Sequence, residues 1–286
     1  MARHVLSWSG IAAVVGLLPL TVHAAGPAEP AGLAPHRAVY EISLDKARAG
    51  AGMSDLSGRM VYELTGSACD GYTQTMRFVT RTTSQEGDPS VSDLRSSTYE
   101  DNGAKTFKFN SSQYKDDQQT EVTAGDAART DANASIKVDV SKPKKLALTI
   151  DANTLFPVQH SIALLAAARA GKSIFSADLY DGSEKGEKVY ATTAVIGGRQ
   201  APGKNPKMPE VKNSEKLDAL AAWPVSLSYF DKKADKSDGT PAYELAFLFF
   251  ENGVSQRLFI DYGDFSIRGA LKDLTFLDVP ACDKKP

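Results

Sequence analysis

Cysteine is almost absent from this chain, which has two, Cys69 and Cys282, in 286 residues. Thiolate zinc sites draw on three or four cysteines or on cysteines joined by histidines, so two isolated thiols exclude that class. Histidine is nearly as scarce. Of four, His4 and His23 fall within the first 24 residues, leaving His36 and His160. No G-x-S-x-G elbow, H-E-x-x-H pair or phosphate-cradling glycine loop occurs, so the recognisable hydrolase and nucleotide-binding classes drop out. No metal, cofactor or catalytic residue is expected. An excess of one charge is also lacking: 33 Lys and Arg stand against 35 Asp and Glu, a formal net charge of −2. That balance gives nucleic acid or an anionic membrane surface nothing to grip. After residue 24 there is no apolar run of the roughly 18 residues a spanning helix needs.

What is present begins at the N-terminus. Arg3 is followed by an apolar stretch from Val5 to Leu20 and by Val22-His23-Ala24, an export signal with an A-x-A-like cleavage site. Residues 1–24 are thus expected to be a cleaved signal peptide, 25–34 an unstructured leader, and the mature protein is expected in the periplasm. In an oxidising compartment an even number of thiols points to a disulfide, so Cys69 and Cys282 are expected to pair.

The dominant hydrophobic period is two. Ala38, Tyr40, Ile42 and Leu44 alternate with polar neighbours, and the pattern returns a dozen or more times up to Leu271 and Phe276. Each run predicts a half-buried strand. Asn102-Gly103 and Asn252-Gly253 sit where two-residue type I′ hairpin turns are expected. So many sequential hairpins predict one all-β domain over 35–286, an antiparallel sheet that closes into a barrel or coils on itself to limit exposed edges.

Residues 154–171 break the pattern. Pro157 suits the first helical position and Gly171 the stop, with Val158, Ile162 and Leu165 at helical spacing. One short amphipathic helix is predicted, either plugging the mouth of the sheet or covering an edge. Residues 198–216 lack an apolar period and are expected to be a mobile insertion. Asp178 to Glu184 lacks the alternating ligands of a calcium loop and is expected to be a strand end with an Asp-Gly turn. His36 is expected at the surface of the first strand and His160 on a backbone carbonyl, neither acting as a base. The strand holding Tyr243, Phe247, Phe249 and Phe250 is apolar in both phases. With Ile162 and Leu165 of the helix it forms the candidate apolar ligand or partner surface.

Several segments are familiar together: Leu33-Ala34-Pro35-His36-Arg37-Ala38-Val39-Tyr40, Phe156-Pro157 with His160, Leu179-Tyr180-Asp181-Gly182-Ser183-Glu184, Trp223-Pro224-Val225-Ser226-Leu227-Ser228-Tyr229-Phe230 and Glu251-Asn252-Gly253-Val254. They resemble the EipB family of periplasmic cell-envelope integrity proteins of alphaproteobacteria, across Leu33 to Cys282. The resemblance implies a β-spiral around a short helix, similar in form to the lipoprotein carriers LolA and LolB, with a disulfide between the two cysteines. It also implies a non-enzymatic role in envelope integrity and stress resistance. Export, the bridge and the absence of catalytic motifs point to a protein that acts by binding another envelope component, and the curled sheet with its helix and aromatic strand offers the alternative of a carrier for lipid or lipoprotein acyl chains. It supplies no catalytic residues and leaves the oligomeric state open.

Overall fold

Alternation of apolar and polar residues builds one large sheet. In the computed structural model, residues 32–130, 134–205, 207, 208, 210–232, 239–280 and 282 are described. The expected signal peptide and most of the expected leader lie outside them. From Gly32 onwards the chain forms one compact unit.

The first eight strands are β1 (His36–Ala47), β2 (Met53–Ser67), β3 (Gly71–Ser84), β4 (Pro89–Glu100), β5 (Thr106–Lys115), β6 (Gln118–Arg129), β7 (Ser135–Lys142) and β8 (Leu146–Asp151). Helix α1 (Pro157–Arg169) follows. The chain returns through β9 (Ile174–Leu179), β10 (Tyr190–Ile196), the single turn α2 (Glu215–Asp218), β11 (Ala222–Asp231), β12 (Tyr243–Phe250), β13 (Ser255–Asp261) and β14 (Phe265–Phe276). All 14 strands join one antiparallel sheet in the order β8-β7-β6-β5-β4-β3-β2-β1-β14-β13-β12-β11-β10-β9. Among the described residues, the β1–β14 pairing is the one in the sheet that links the two meanders, with Tyr40 opposite Leu271. The sheet ends at β8 and β9 without closing.

The coil buries its concave face around α1. Val158, Leu164, Leu165 and Ala168 of the helix share a core with Leu64 and Tyr72 of the first meander and with Leu179, Ala194, Val225, Leu227 and Phe249 of the second. Strands remote from each other in the sheet therefore meet across the helix. The helix thus packs on the concave face and also lies against β9, an edge strand, so the two expectations for it are not exclusive. Pro157 opens it, and Gly171, at φ +72°, ends it with Lys172 N–H donating to Ala167 O at 3.0 Å. A second core gathers Ala38, Tyr40, Leu248, Phe250, Ile267 and Leu274. A third gathers Phe107, Phe109, Ile136, Val138, Phe156 and Tyr180.

Two local expectations need correction. The described residues of the segment 198–216 are anchored rather than loose. Val211 and, just beyond, Leu217 are buried in the second core, Asn213 Nδ2 donates to Leu274 O at 2.8 Å, and Gln200 bridges to Ala222. Single apolar anchors set in lysine-rich sequence leave no period to detect. Nor are the Asn-Gly turns type I′. At Phe250–Gly253 the central residues Glu251 and Asn252 are not at positive φ, Gly253 N–H donates to Phe250 O at 2.8 Å, and Gly253 itself is at φ +92°. That is a type I turn closed by a left-handed residue. At Asp101–Ala104 the left-handed residue is Ala104 rather than Asn102 or Gly103.

Candidate functional site

Cross-strand register decides which side chains face the inside of the coil. Thr98 pairs with Gln74, Ser96 with Met76, and Leu94 with Phe78, and the same rows run on to Phe109, Ser111 and Gln113 of β5. In β13, Arg257 at φ +57° and the matching shift in register form a bulge. The bulge lets Ser255, Leu258 and Ile260 all face inward although their spacing is uneven.

Two adjoining cavities occupy this concave face. The first, about 400 Å³, lies between α1 and the sheet and is walled by Met60, Met76, Leu164, Leu227, Leu245, Phe247, Phe249, Leu258 and Ile260, with Leu33, His36, Tyr40 and His160 also contributing. The second, about 380 Å³, is walled by Ser96, Thr98, Ser111, Gln113, Glu121, Asp181 and Ser183. Tyr62, Gln74, Met76 and Pro157 border both. Gln74 Nε2 donates to the Tyr62 hydroxyl at 2.8 Å, which holds this partition in place. The interior is thus an apolar chamber that turns polar across strands β3 to β6.

Of the residues singled out from sequence, Phe247 and Phe249 line the apolar chamber. Tyr243 stacks on Tyr229 at 4.2 Å between ring centroids, one residue back from the wall. Phe250 points the other way, into the second core. Ile162 and Leu165 pack within the helix core, and the helix presents His160, Ser161 and Leu164 to the cavity instead. Leu33, expected in a loose leader, is 5% exposed and lines the chamber, with Ala34 N–H donating to Asn252 O at 2.8 Å. Cys69 and Cys282 are joined in a disulfide with Cα atoms 5.6 Å apart.

Both histidines are buried, which corrects the expectation of a surface His36. Its Nδ1–H donates to Ala34 O at 2.7 Å, and burial lowers its pKa. His160 bonds a hydroxyl rather than a carbonyl. Thr192 gives its proton to Ala177 O at 2.7 Å, so its oxygen accepts from His160 Nε2–H at 2.8 Å. Burial pushes the His160 pKa down to about 4. Neither imidazole carries charge near neutrality, and Thr192 has no free proton acceptor beside it to make it a nucleophile.

Glu100, at the end of β4, was not singled out by sequence, yet it organises the site. It is 3% exposed, and its carboxylate accepts the amide N–H groups of Val158 at 2.9 Å and Gln159 at 2.8 Å. Phe156 offers the helix no side-chain cap and Pro157 has no N–H, so this distant acid caps α1. Arg129 fastens the approach to the helix, donating to Thr154 O and Gln159 Oε1, each at 2.9 Å, with its guanidinium over the Phe156 ring. Burial raises the Glu100 pKa to about 7, against the pull of the two amides and of Arg129.

The loop closing the polar chamber depends on Gly182. It sits at φ +72°, and a Cβ there would stand 2.3 Å from Cγ of Phe109. Gly182→Ala is expected to destabilise the fold by about 2 kcal/mol through left-handed strain and displacement of the ring. Urea unfolding measures this, and an unchanged midpoint would contradict the packing described.

A family model described as EipB-like matches residues 27–278. The chain is 39% identical over 274 residues to the cell envelope integrity protein EipB of Brucella abortus strain 2308, covering 96% of this chain and 91% of that one. It is also similar to the crystal structure of a beta-barrel-like protein of a domain of unknown function from Brucella abortus, with a TM-score of 0.79 and 39% identity, covering 87% of this chain and 100% of the other. The open 14-stranded coil, the sequence match over nearly the whole chain and the shared fold agree: this chain belongs to the EipB-like family.

Proposed function

We propose that this chain is a soluble, non-enzymatic periplasmic protein that supports cell-envelope integrity and stress resistance by binding another envelope component. The name carried by its relative from Brucella abortus supports the envelope role. The observation that bears on mechanism is the apolar chamber of about 400 Å³ between α1 and the sheet. Its volume lies in the usual range for small-ligand sites, and its wall of Met, Leu and Phe suits an acyl chain of a lipid or lipoprotein.

Met60→Trp tests this by filling the chamber from the β2 wall. Loss of the gene is expected to sensitise cells to detergent and to antibiotics acting on the wall. The wild-type gene restores resistance, and the filled variant, exported at normal level, does not. Normal resistance in the deletion strain would refute the envelope role. Full rescue by Met60→Trp would move binding from the chamber to the outer surface.

A further inference from the structure

We propose that the occupant of the interior is an amphiphile with a hydroxyl-bearing, non-anionic polar end, of the kind found on a glycosylated lipid, and that phosphate-type head groups are excluded. The inference rests on reading the apolar chamber as an acyl site and adds the chemistry of the other end.

Three observations carry it. The polar chamber adjoins the apolar one, with Tyr62, Gln74, Met76 and Pro157 lining both, so a molecule seated by its chain and reaching past the Gln74–Tyr62 pair places its other end against β3 to β6. Among the described residues, no lysine or arginine lines either chamber, whereas Glu121, Asp181 and Glu184 line the polar one. Lys188 lies 3.8 Å from Glu184, but it also lies 3.1 Å from Asp231. Anionic head groups need guanidinium or ammonium donors, or the free amides of a helix start. The helix start that borders both chambers is already taken, since the Glu100 carboxylate accepts the Val158 and Gln159 amides. An incoming anion would therefore find no free amides at that helix start.

The remaining polar wall includes Gln74, Ser96, Thr98, Ser111 and Gln113. Amides and hydroxyls both donate and accept, which matches the paired donor and acceptor character of sugar hydroxyls. Carboxylates such as Glu121 accept from the same hydroxyls, so acids and amides favour one class of head group.

The test uses three probes with the same chain, dodecyl maltoside, dodecyl phosphate and dodecyltrimethylammonium. Each is titrated calorimetrically, below its micelle concentration, into the mature protein. Dodecyl maltoside is expected to bind about tenfold or more tighter than either of the others, a difference of roughly 1.4 kcal/mol. The phosphate lacks favourable charge, and the ammonium lacks hydrogen-bonding groups. Glu121→Lys, with folding checked by circular dichroism, is expected to raise dodecyl phosphate affinity severalfold. Equal binding of all three, or tighter binding of the phosphate or the ammonium, would overturn the head-group inference while leaving the acyl site standing. No binding of any probe would overturn the acyl site and the inference together. An unaltered phosphate affinity in Glu121→Lys would overturn the placement of the head group.

Discussion

Replacing both cysteines, Cys69→Ser together with Cys282→Ser, is expected to lower the melting temperature by roughly 10 °C or more. The bridge spans 213 residues of sequence. By the chain-entropy relation a loop of that size restricts the unfolded state by about 5 kcal/mol at most, and a domain of this size loses about 2–4 °C per kcal/mol. The position of the bridge adds to its weight. Cys69 stands in the turn between β2 and β3, where Ser67 Oγ accepts from the Cys69 and Asp70 amides at 3.2 Å and Asn102 Nδ2 donates to Cys69 O at 2.6 Å. Cys282 follows β14, which in the sheet order is separated from β2 only by β1. The bridge therefore clamps the seam between the two meanders, the pairing with the greatest loop-closure cost. Thermal unfolding of the double variant beside the oxidised protein measures the effect. Coincident transitions would show that the bridge adds no stability.

The second large effect concerns Glu100. Its folded pKa of about 7 lies above an ordinary value of 4.5, so across that interval the folded protein holds a proton that the unfolded chain releases. The stabilisation linked to that proton is complete below about pH 4.5 and is lost as pH rises through about 7. A shift of that size corresponds to on the order of 3 kcal/mol. His36 and His160 act in the opposite sense. Their folded values are depressed, so their contribution is present above about 6.5 and falls away in acid. The wild-type profile is therefore a sum, and the informative quantity is its difference from Glu100→Gln. At pH 5 the variant is expected to be less stable by about 1 kcal/mol, since the amide side chain leaves one helix N–H poorly matched. By pH 8 it becomes relatively more stable, by on the order of 3 kcal/mol compared with pH 5. A difference independent of pH would place the Glu100 titration elsewhere.

The strands were legible because most of them bury one face. Ala38, Tyr40 and Ile42 sit at 2% exposure or less while Arg37 and Glu41 are exposed, so a period of two is visible without any tertiary knowledge. The helix was legible from Pro157 and Gly171. The polar chamber was not. Its wall residues Ser96, Thr98 and Ser111 alternate with Arg95, Ser97 and Ser112, and two polar phases carry no mark of which one faces inward. Glu100 was hidden for a related reason, since an acid before Asp101-Asn102-Gly103 looks like part of a solvated turn. Only the fold brings it to a helix that starts 57 residues later. The two-sided strand β12 was legible as such. Its division, with Phe247 and Phe249 toward the chamber and Leu248 and Phe250 toward the second core, follows from alternation once the helix is placed.

The central claim is that the interior holds an amphiphile, and native mass spectrometry of the mature protein purified from its own cells without detergent tests it most directly. The account predicts a discrete added mass that extracts into organic solvent and is lost from Met60→Trp. A bare mass for both proteins, with no uptake of dodecyl maltoside on titration, would contradict it.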